Sequence, residues 1–450
     1  MTFDRVLPEL IRLCEEDTAS RAAVARSCVV RDVRGRVRLV VEPTGAAGPA
    51  LARLETTLQA SLGAYFVSPI IVGASGGDLH RLAKQLLEQA TGQWPTGWPR
   101  SFKNVLGGGD TPIDAGGRWT GIERTIGKDA WLTATPPGPP WPLVKDKTPP
   151  IVTFHSFKGG VGRTTLVAAY AMRLSARVRP PRIAVIDLDL EAPGVGSLFD
   201  VSTERGVLDM LVDHIATGRI DLGAASSPAQ LTSGFGQNIT VFPAGRVNDS
   251  YVQKLARLDF TSSEPGGDNP VGVALAAMLL AIKPDFDVIL LDARAGLHDI
   301  AGMSLHGLAH VDVLVFRGTT QNLTGLGQTL RTLGARAATQ LVLVETLLPA
   351  NDDLLFEARR QRTRERVYEL LCEHVYPEDD PPQLPDVGAP HDVVSVRRRE
   401  WLDALDSMKD HATEILNEAD LAVLARRIDD QCKLDAEGPA LDIDDDEETE

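Results

Sequence analysis

The apolar pattern of the chain changes character near residue 150. Beyond that point, short continuous apolar runs rich in β-branched residues recur at 151–157, 182–187, 239–243, 287–292, 311–316 and 341–345. Continuous rather than alternating runs are what strands buried on both faces require. Helical segments of about ten residues or more lie between most of them, which predicts a parallel sheet covered by helices on both sides. The longest apolar stretch, 271–282, stops at Lys283 and Pro284 and reads as a buried helix, too short to span a bilayer. Ahead of residue 133 the pattern is mixed. Strands are predicted at 37–42 and 67–72. Leu51, Leu54, Leu58 and Leu62 fall at helical spacing, and 79–89 reads as a second helix. The glycine-rich stretch 107–117 reads as a mobile loop. A small α+β domain over 1–132 is the expectation, with no chemical motif in it.

Seven prolines between 133 and 150 deny both helix and central strand. That segment reads as a stiff linker, 133–150, ahead of a main α/β domain over 151–434. Past residue 350 the pattern gives an Arg-rich helix around 359–372, a proline- and acid-rich loop at 377–390, and helices to about 433. Residues 435–450 hold nine carboxylates and no basic side chain, and read as a disordered, solubilising acidic tail.

Composition sharpens this picture in two places. The 450 residues carry a formal net charge of −16, but the tail holds nine of those charges, and residues 1–150 have 18 basic against 15 acidic side chains. The balance argues against a protein that mainly coats nucleic acid or anionic membrane, less strongly than the total suggests. Four dispersed cysteines give no Cys-x-x-Cys pair, so a zinc ribbon or a disulfide framework is not expected. With no basic-then-apolar leader pattern at the N-terminus, a cytoplasmic protein is expected.

The candidate chemistry lies where the first buried strand runs into Lys158-Gly159-Gly160-Val161-Gly162-Arg163-Thr164-Thr165 and then into a helix. Glycines let backbone N–H groups face phosphates, and a helix N-terminus favours an anion. Thr164 offers a hydroxyl for Mg²⁺ and Arg163 stands where a phosphate-binding loop needs its cation. In the pattern G-x-x-x-x-G-K-[ST], Phe157 fills the first glycine position and Arg163 the lysine position. Three further features follow in order. Asp187 and Asp189 leave the end of the second strand, where ligands of open α/β sheets bind. Thr240–Gly245 ends a third strand. Asp292 ends the apolar run 288–292, followed by Arg294.

With its extra Lys158, the loop closely resembles the deviant K-G-G-x-G-K-T-T loop of the MinD/ParA family of P-loop ATPases. Asp187-Leu188-Asp189, Pro243-Ala244-Gly245 and the strand ending in Asp292 are similar to that family's other motifs. The resemblance covers about residues 151–350. Its departures are Arg163 for the second lysine, and Arg294 and Ala295 for a proline pair. It implies a P-loop NTPase fold, ATP and Mg²⁺ as ligands, and a homodimer closed around ATP. Gly159, Gly160, Val161, Gly162, Arg163, Thr164 and Thr165 would then cradle the phosphates. Thr164, Asp187 and Asp292 would organise Mg²⁺, Asp189 would position the attacking water, and Lys158 would act across the dimer interface. Arginine is wider than lysine and forks its donors, so nucleotide binding is expected more firmly than fast hydrolysis. The arginine form of the loop resembles a branch found beside bacterial conflict and signalling genes. That implies a switch whose partner proteins the sequence does not name.

Alternatives stay open. A ParA-like positioning ATPase on DNA would use Arg359, Arg360, Arg362, Arg364 and Arg366, with 397–399. A solvated helix face paired with Glu357, Glu365 and Glu369 is the favoured reading of that cluster. A non-hydrolysing, nucleotide-gated scaffold is kept by Arg163. A membrane-bound ATPase would need a basic amphipathic C-terminus, and this one is acidic. Arg34, Arg36 and Arg38 alternate as on one strand face. His155 and His298 flank the loop and Asp292 regions and read as structural.

Overall fold

A computed structural model describes residues 1–45, 47–73, 78–95, 97–105, 109–125, 127–132, 138–223, 225–230, 236–260, 269–334, 340–350, 354–384, 386–403 and 405–435. The chain divides into two compact units, Met1–Gly127 and Lys128–Glu450.

In the first unit, β1 (Val24–Arg31) is the centre of a sheet. It pairs antiparallel with β2 (Val37–Pro43), which carries the short β3 (Ile71–Val72). A separate pair, β4 (Ser101–Lys103) with β5 (Asp110–Pro112), runs antiparallel, so the described part of the expected mobile loop holds a strand. On its other side β1 pairs in parallel with β6 (Trp119–Glu123). The helix Phe3–Glu16 buries Val6, Leu7, Leu10, Ile11 and Cys14 on one stripe. The helix Gly48–Leu62 buries Leu51, Leu54, Leu58 and Leu62, the four leucines that predicted it. Arg34 and Arg36 precede β2, which begins at Val37, and Arg36 pairs with Asp32 at 2.7 Å. The expected single strand face of three arginines is therefore not formed.

The second unit is built on one sheet of mixed, mostly parallel strands flanked by helices. Its members are β7 (Ile151–His155), β8 (Ile183–Leu188), β9 (Ser227–Pro228), β10 (Ile239–Phe242), β11 (Val288–Ala293), β12 (Val311–Phe316), β13 (Leu341–Leu348) and β14 (Val394–Arg397). The spatial order is β14-β13-β12-β7-β11-β8-β10-β9, and all neighbours are parallel except β9 with β10. Six of these strands match the continuous apolar runs, because both faces are buried. Val152, Val185, Val288 and Val313 pack toward the helices Arg163–Ser175 and Ala419–Cys432. Ile186, Ile289 and Leu291 pack toward the helices Val207–Thr217 and Pro270–Ile282. β7 sits between β11 and β12, and its carboxyl end opens into the glycine loop.

Two boundary expectations are corrected. The second unit begins at Lys128 rather than at 151. The short helix Asp129–Leu132 is held by Lys128 Nζ on Asp299 Oδ2 at 2.7 Å and by Trp131 Nε1 donating to the His298 carbonyl at 2.8 Å. Residues 138–150 of the expected linker are docked within this unit rather than acting as a spacer. Trp141 is buried, its Nε1 donates to the Pro149 carbonyl, and its own carbonyl lies 2.7 Å from Nε2 of the buried His310. Prolines deny helix and ladder, but they leave aromatic burial free to fix the segment. Residues 133–137, and all of the acidic tail except Asp435, lie outside the described residues. Among the described residues, no helix is long and apolar enough to cross a membrane.

Candidate functional site

The glycine loop joins β7 to the helix Arg163–Ser175. Gly160 and Gly162 have φ of 71° and 84°, the left-handed region where a side chain is strained. A Cβ added at Gly159, Gly160 or Gly162 would meet nothing within 4 Å, so the loop has open space beside it. Lys158, Gly159 and Gly160 are exposed, while Val161 is buried and its carbonyl accepts from Thr346 Oγ1 on β13 at 2.8 Å. Phe157 in the first glycine position has a structural partner: a Cβ at Gly325 would lie 1.9 Å from the Phe157 ring. The ring is thus seated against the helix Thr320–Leu333 at its glycine.

Arg163 is turned inward. It is the first residue of its helix, where a cation opposes the helix dipole, yet only 7 % of it is exposed. Its Nε donates to Asp292 Oδ1 at 2.5 Å, and its Nη2 reaches Asp189 Oδ2 at 3.0 Å and Thr164 Oγ1 at 3.3 Å. Thr164 Oγ1 also donates to Asp292 Oδ2 at 2.7 Å. Thr164, Asp189 and Asp292, selected from three separate stretches of sequence, therefore converge on one guanidinium. Burial raises the Asp292 carboxyl above its ordinary range, against the pull of Arg163.

Asp187 stands opposite Asp292 in the β8–β11 register. Its Oδ1 accepts from the Asp189 N–H at 3.0 Å, and its Oδ2 from Gly194 and Val195 at 3.0 and 3.1 Å. Its oxygens thus shape the backbone that carries Asp189. Burial, then the nearby Asp292 charge, push its carboxyl up to about 7. The Pro243-Ala244-Gly245 turn anchors the start of the helix Val207–Thr217, whose Val207 and Leu208 N–H groups donate to the Pro243 and Ala244 carbonyls. Thr165, next on the loop helix, is half-buried.

Sequence reasoning noted Arg294 only as a departure and did not foresee its place. Arg294 Nη1 lies 3.3 Å from Asp189 Oδ1, and Nη2 lies 2.9 Å from Glu191 Oε2. Glu191 is met in turn by His298 Nε2 at 3.2 Å. The signal available was a cation two residues after the strand-ending aspartate. His155 is buried, with Nδ1 3.1 Å from the Arg294 carbonyl. Burial, helped by the Arg163 charge, holds its pKa down at about 3, so the ring is neutral and Nδ1–H is the donor.

Part of the basic cluster is engaged. Arg360 faces Glu357 at 3.5 Å, Arg366 faces Glu369 at 2.6 Å, and Arg399 pairs with Glu418 at 2.7 Å. Arg359, Arg360 and Arg364 act electrostatically on Glu345, a buried residue of β13 whose pKa burial raises.

No protein-family model matches the chain, and no curated protein matches it. Among solved structures, it is similar to a plasmid partition protein from Borrelia burgdorferi, at 17 % identity over 63 % of this chain and 100 % of that one, with a TM-score of 0.41. It is similar to the cell-division ATPase MinD of Pyrococcus furiosus, at 19 % identity over 63 % and 97 %, with a TM-score of 0.39. A ParA-family ATPase from Chlorobium tepidum gives 15 % identity over 63 % and 98 %, with a TM-score of 0.41.

Proposed function

We propose that this chain is a P-loop ATPase of the MinD/ParA type. On this reading it binds ATP with Mg²⁺, dimerises around the nucleotide, and uses that state to recruit or release a protein partner. The observation that carries the reading is the convergence of Arg163, Thr164, Asp189 and Asp292 beside an open, positive-φ glycine loop at the carboxyl end of the central strands.

The residues fit the ligand in kind. Thr164 Oγ1 and Asp292 supply hard oxygen donors suited to Mg²⁺, with Asp187 behind them, and the loop N–H groups and helix N-terminus suit phosphates. When bound, Mg²⁺ supplies charge neutralisation of the phosphates. Asp292 is shared at present with Arg163, so the guanidinium must give up that oxygen before a cation can approach. Released, Arg163 would take bound phosphates as its alternative partner. Asp189 is the carboxylate left to orient a water. Lys158 is exposed at the loop, its ammonium 5.8 Å from the centre of the Phe157 ring, and is placed to serve a second copy on this reading. A non-hydrolysing, nucleotide-gated scaffold is the second reading, favoured by the depth at which Arg163 is held.

Sizing and turnover of the full chain, with and without ATP and Mg²⁺, test this. The expected outcome is an ATP-dependent dimer that Lys158→Ala abolishes while nucleotide affinity persists. A wild-type chain with no nucleotide affinity would overturn the reading, and binding without turnover selects the scaffold.

A further inference from the structure

Among the described residues, Asp189 is the one carboxylate of the site held by two guanidiniums. Arg163 Nη2 takes Oδ2 at 3.0 Å, and Arg294 Nη1 takes Oδ1 at 3.3 Å. The two arginines differ in their freedom. Arg163 starts a helix beside the open loop. Arg294 is fixed at both ends: its carbonyl accepts from His155 on β7, and its Nη2 is on Glu191 at 2.9 Å. The turn after it is tied to the residue that follows that strand, with the Gly296 N–H donating to the Ser156 carbonyl at 2.9 Å.

We propose that Arg294 is a positioning residue for Asp189, the guanidinium that keeps this carboxylate paired when Arg163 leaves it for a nucleotide's phosphates. The inference rests on the nucleotide-binding reading above. A buried carboxylate without a partner is strongly disfavoured, and Asp189 is only 7 % exposed. When Arg163 departs, Asp292 keeps the Thr164 hydroxyl, but Asp189 keeps only Arg294. Without Arg294, Arg163 is retained on Asp189, and every phosphate ligand must pay for a stranded carboxylate. Arg294 is itself partly exposed, with 26 % of its side chain accessible, so holding Asp189 alone does not bury a new charge.

The test is titration of the full chain with a fluorescent, non-hydrolysable ATP analogue and Mg²⁺, across a double-mutant cycle. Arg294→Ala should weaken binding about tenfold, the size of coupling typical of a close charge pair. Arg294→Lys should recover part of the loss. In an Asp189→Asn background, Arg294→Ala should change affinity little, because the charge it holds is gone. Unchanged affinity in Arg294→Ala overturns the proposal. So does an equal loss in both backgrounds, which would mean that Arg294 acts on the phosphates directly or on the fold. If the alanine variant does not fold, Arg294→Gln in the two backgrounds reads the same coupling. A wild type that binds no analogue overturns this proposal and the nucleotide reading together, whereas wild-type binding with no cycle coupling sinks this proposal alone.

Discussion

The helix Arg163–Ser175 has a buried arginine–aspartate cluster near each end, and the two are used differently. At the amino end, Arg163 meets Asp292, with side-chain exposures of 8 % and 1 %. Beyond the carboxyl end, Arg177 meets Asp429, with exposures of 8 % and 4 %. Burial is the same, so burial does not separate a site from a strut. Stoichiometry and access do. Arg177 has one carboxylate, whose other oxygen takes the Tyr170 hydroxyl at 2.8 Å, and this balanced set pins the helix Ala419–Cys432 to the loop helix. Arg163 and Arg294 are two cations among Asp187, Asp189, Glu191 and Asp292, beside a loop with empty space. An acid-rich cluster next to open volume can accept a new cation and release its old one. A closed one-to-one set cannot.

The largest expected effect breaks the strut. Asp429→Ala should lower the unfolding free energy by about 3–5 kcal/mol, the cost of leaving a buried guanidinium alone. Molecules that remain folded should bind nucleotide as before. Asp292→Ala should cost less than half as much, since Arg163 keeps Asp189, yet should abolish Mg²⁺-dependent nucleotide binding. Urea unfolding with parallel nucleotide titration checks both. Equal stability losses would erase the distinction drawn between the two ends.

A second, smaller effect tests how firmly the site end is held. Gly325→Ala places a methyl group on the Phe157 ring, and overpacking of this kind costs about 1–3 kcal/mol. The strain should pass into the glycine loop and weaken nucleotide binding. Phe157→Ala combined with Gly325→Ala should relieve most of it, giving a non-additive pair. Additive losses would mean that the ring does not support the loop.

These contrasts also explain what the sequence could and could not reveal. The strands of the main sheet were legible because burial on both faces leaves continuous apolar runs. Thr164, Asp189 and Asp292 were legible because loop and strand ends are local patterns. What local pattern cannot carry is the partner of a side chain. Arg163 was expected to point at phosphates, and its inward turn depends on Asp189 and Asp292, 26 and 129 residues away. Phe157 was read only as the occupant of the first glycine position, and its seat at Gly325 lies on a helix distant in sequence. β14 was missed because four residues, Val394–Arg397, read as the start of an arginine run. In the first unit, the helix Phe3–Glu16 was missed because Pro8 interrupts its stripe, and β1 because polar and apolar positions mix along it.

The smallest expected effect concerns the tether beneath Arg294. His155 is held neutral, its pKa lowered to about 3 by burial and by Arg163. An unfolded histidine takes up a proton near its ordinary value of about 6.5. Between those values the unfolded chain binds the proton and the folded chain does not, so folding loses stability as pH falls. The contribution is complete above pH ~6.5 and drains away toward the folded value. His155→Gln keeps an N–H donor for the Arg294 carbonyl but cannot titrate. The difference in unfolding free energy between wild type and this variant should therefore shift against the wild type as pH drops from about 6.5 to about 4.5. The Asp429 cluster gives the opposite slope. Burial pushes the Asp429 carboxyl up to about 6, so its share of stability falls as pH rises from its ordinary value through that point. Urea unfolding of wild type, His155→Gln and Asp429→Asn across this range reads the histidine tether and the Asp429 carboxyl by the opposite signs of their pH dependence. A His155 contribution with the same sign as that of Asp429 would show that burial does not hold the ring neutral.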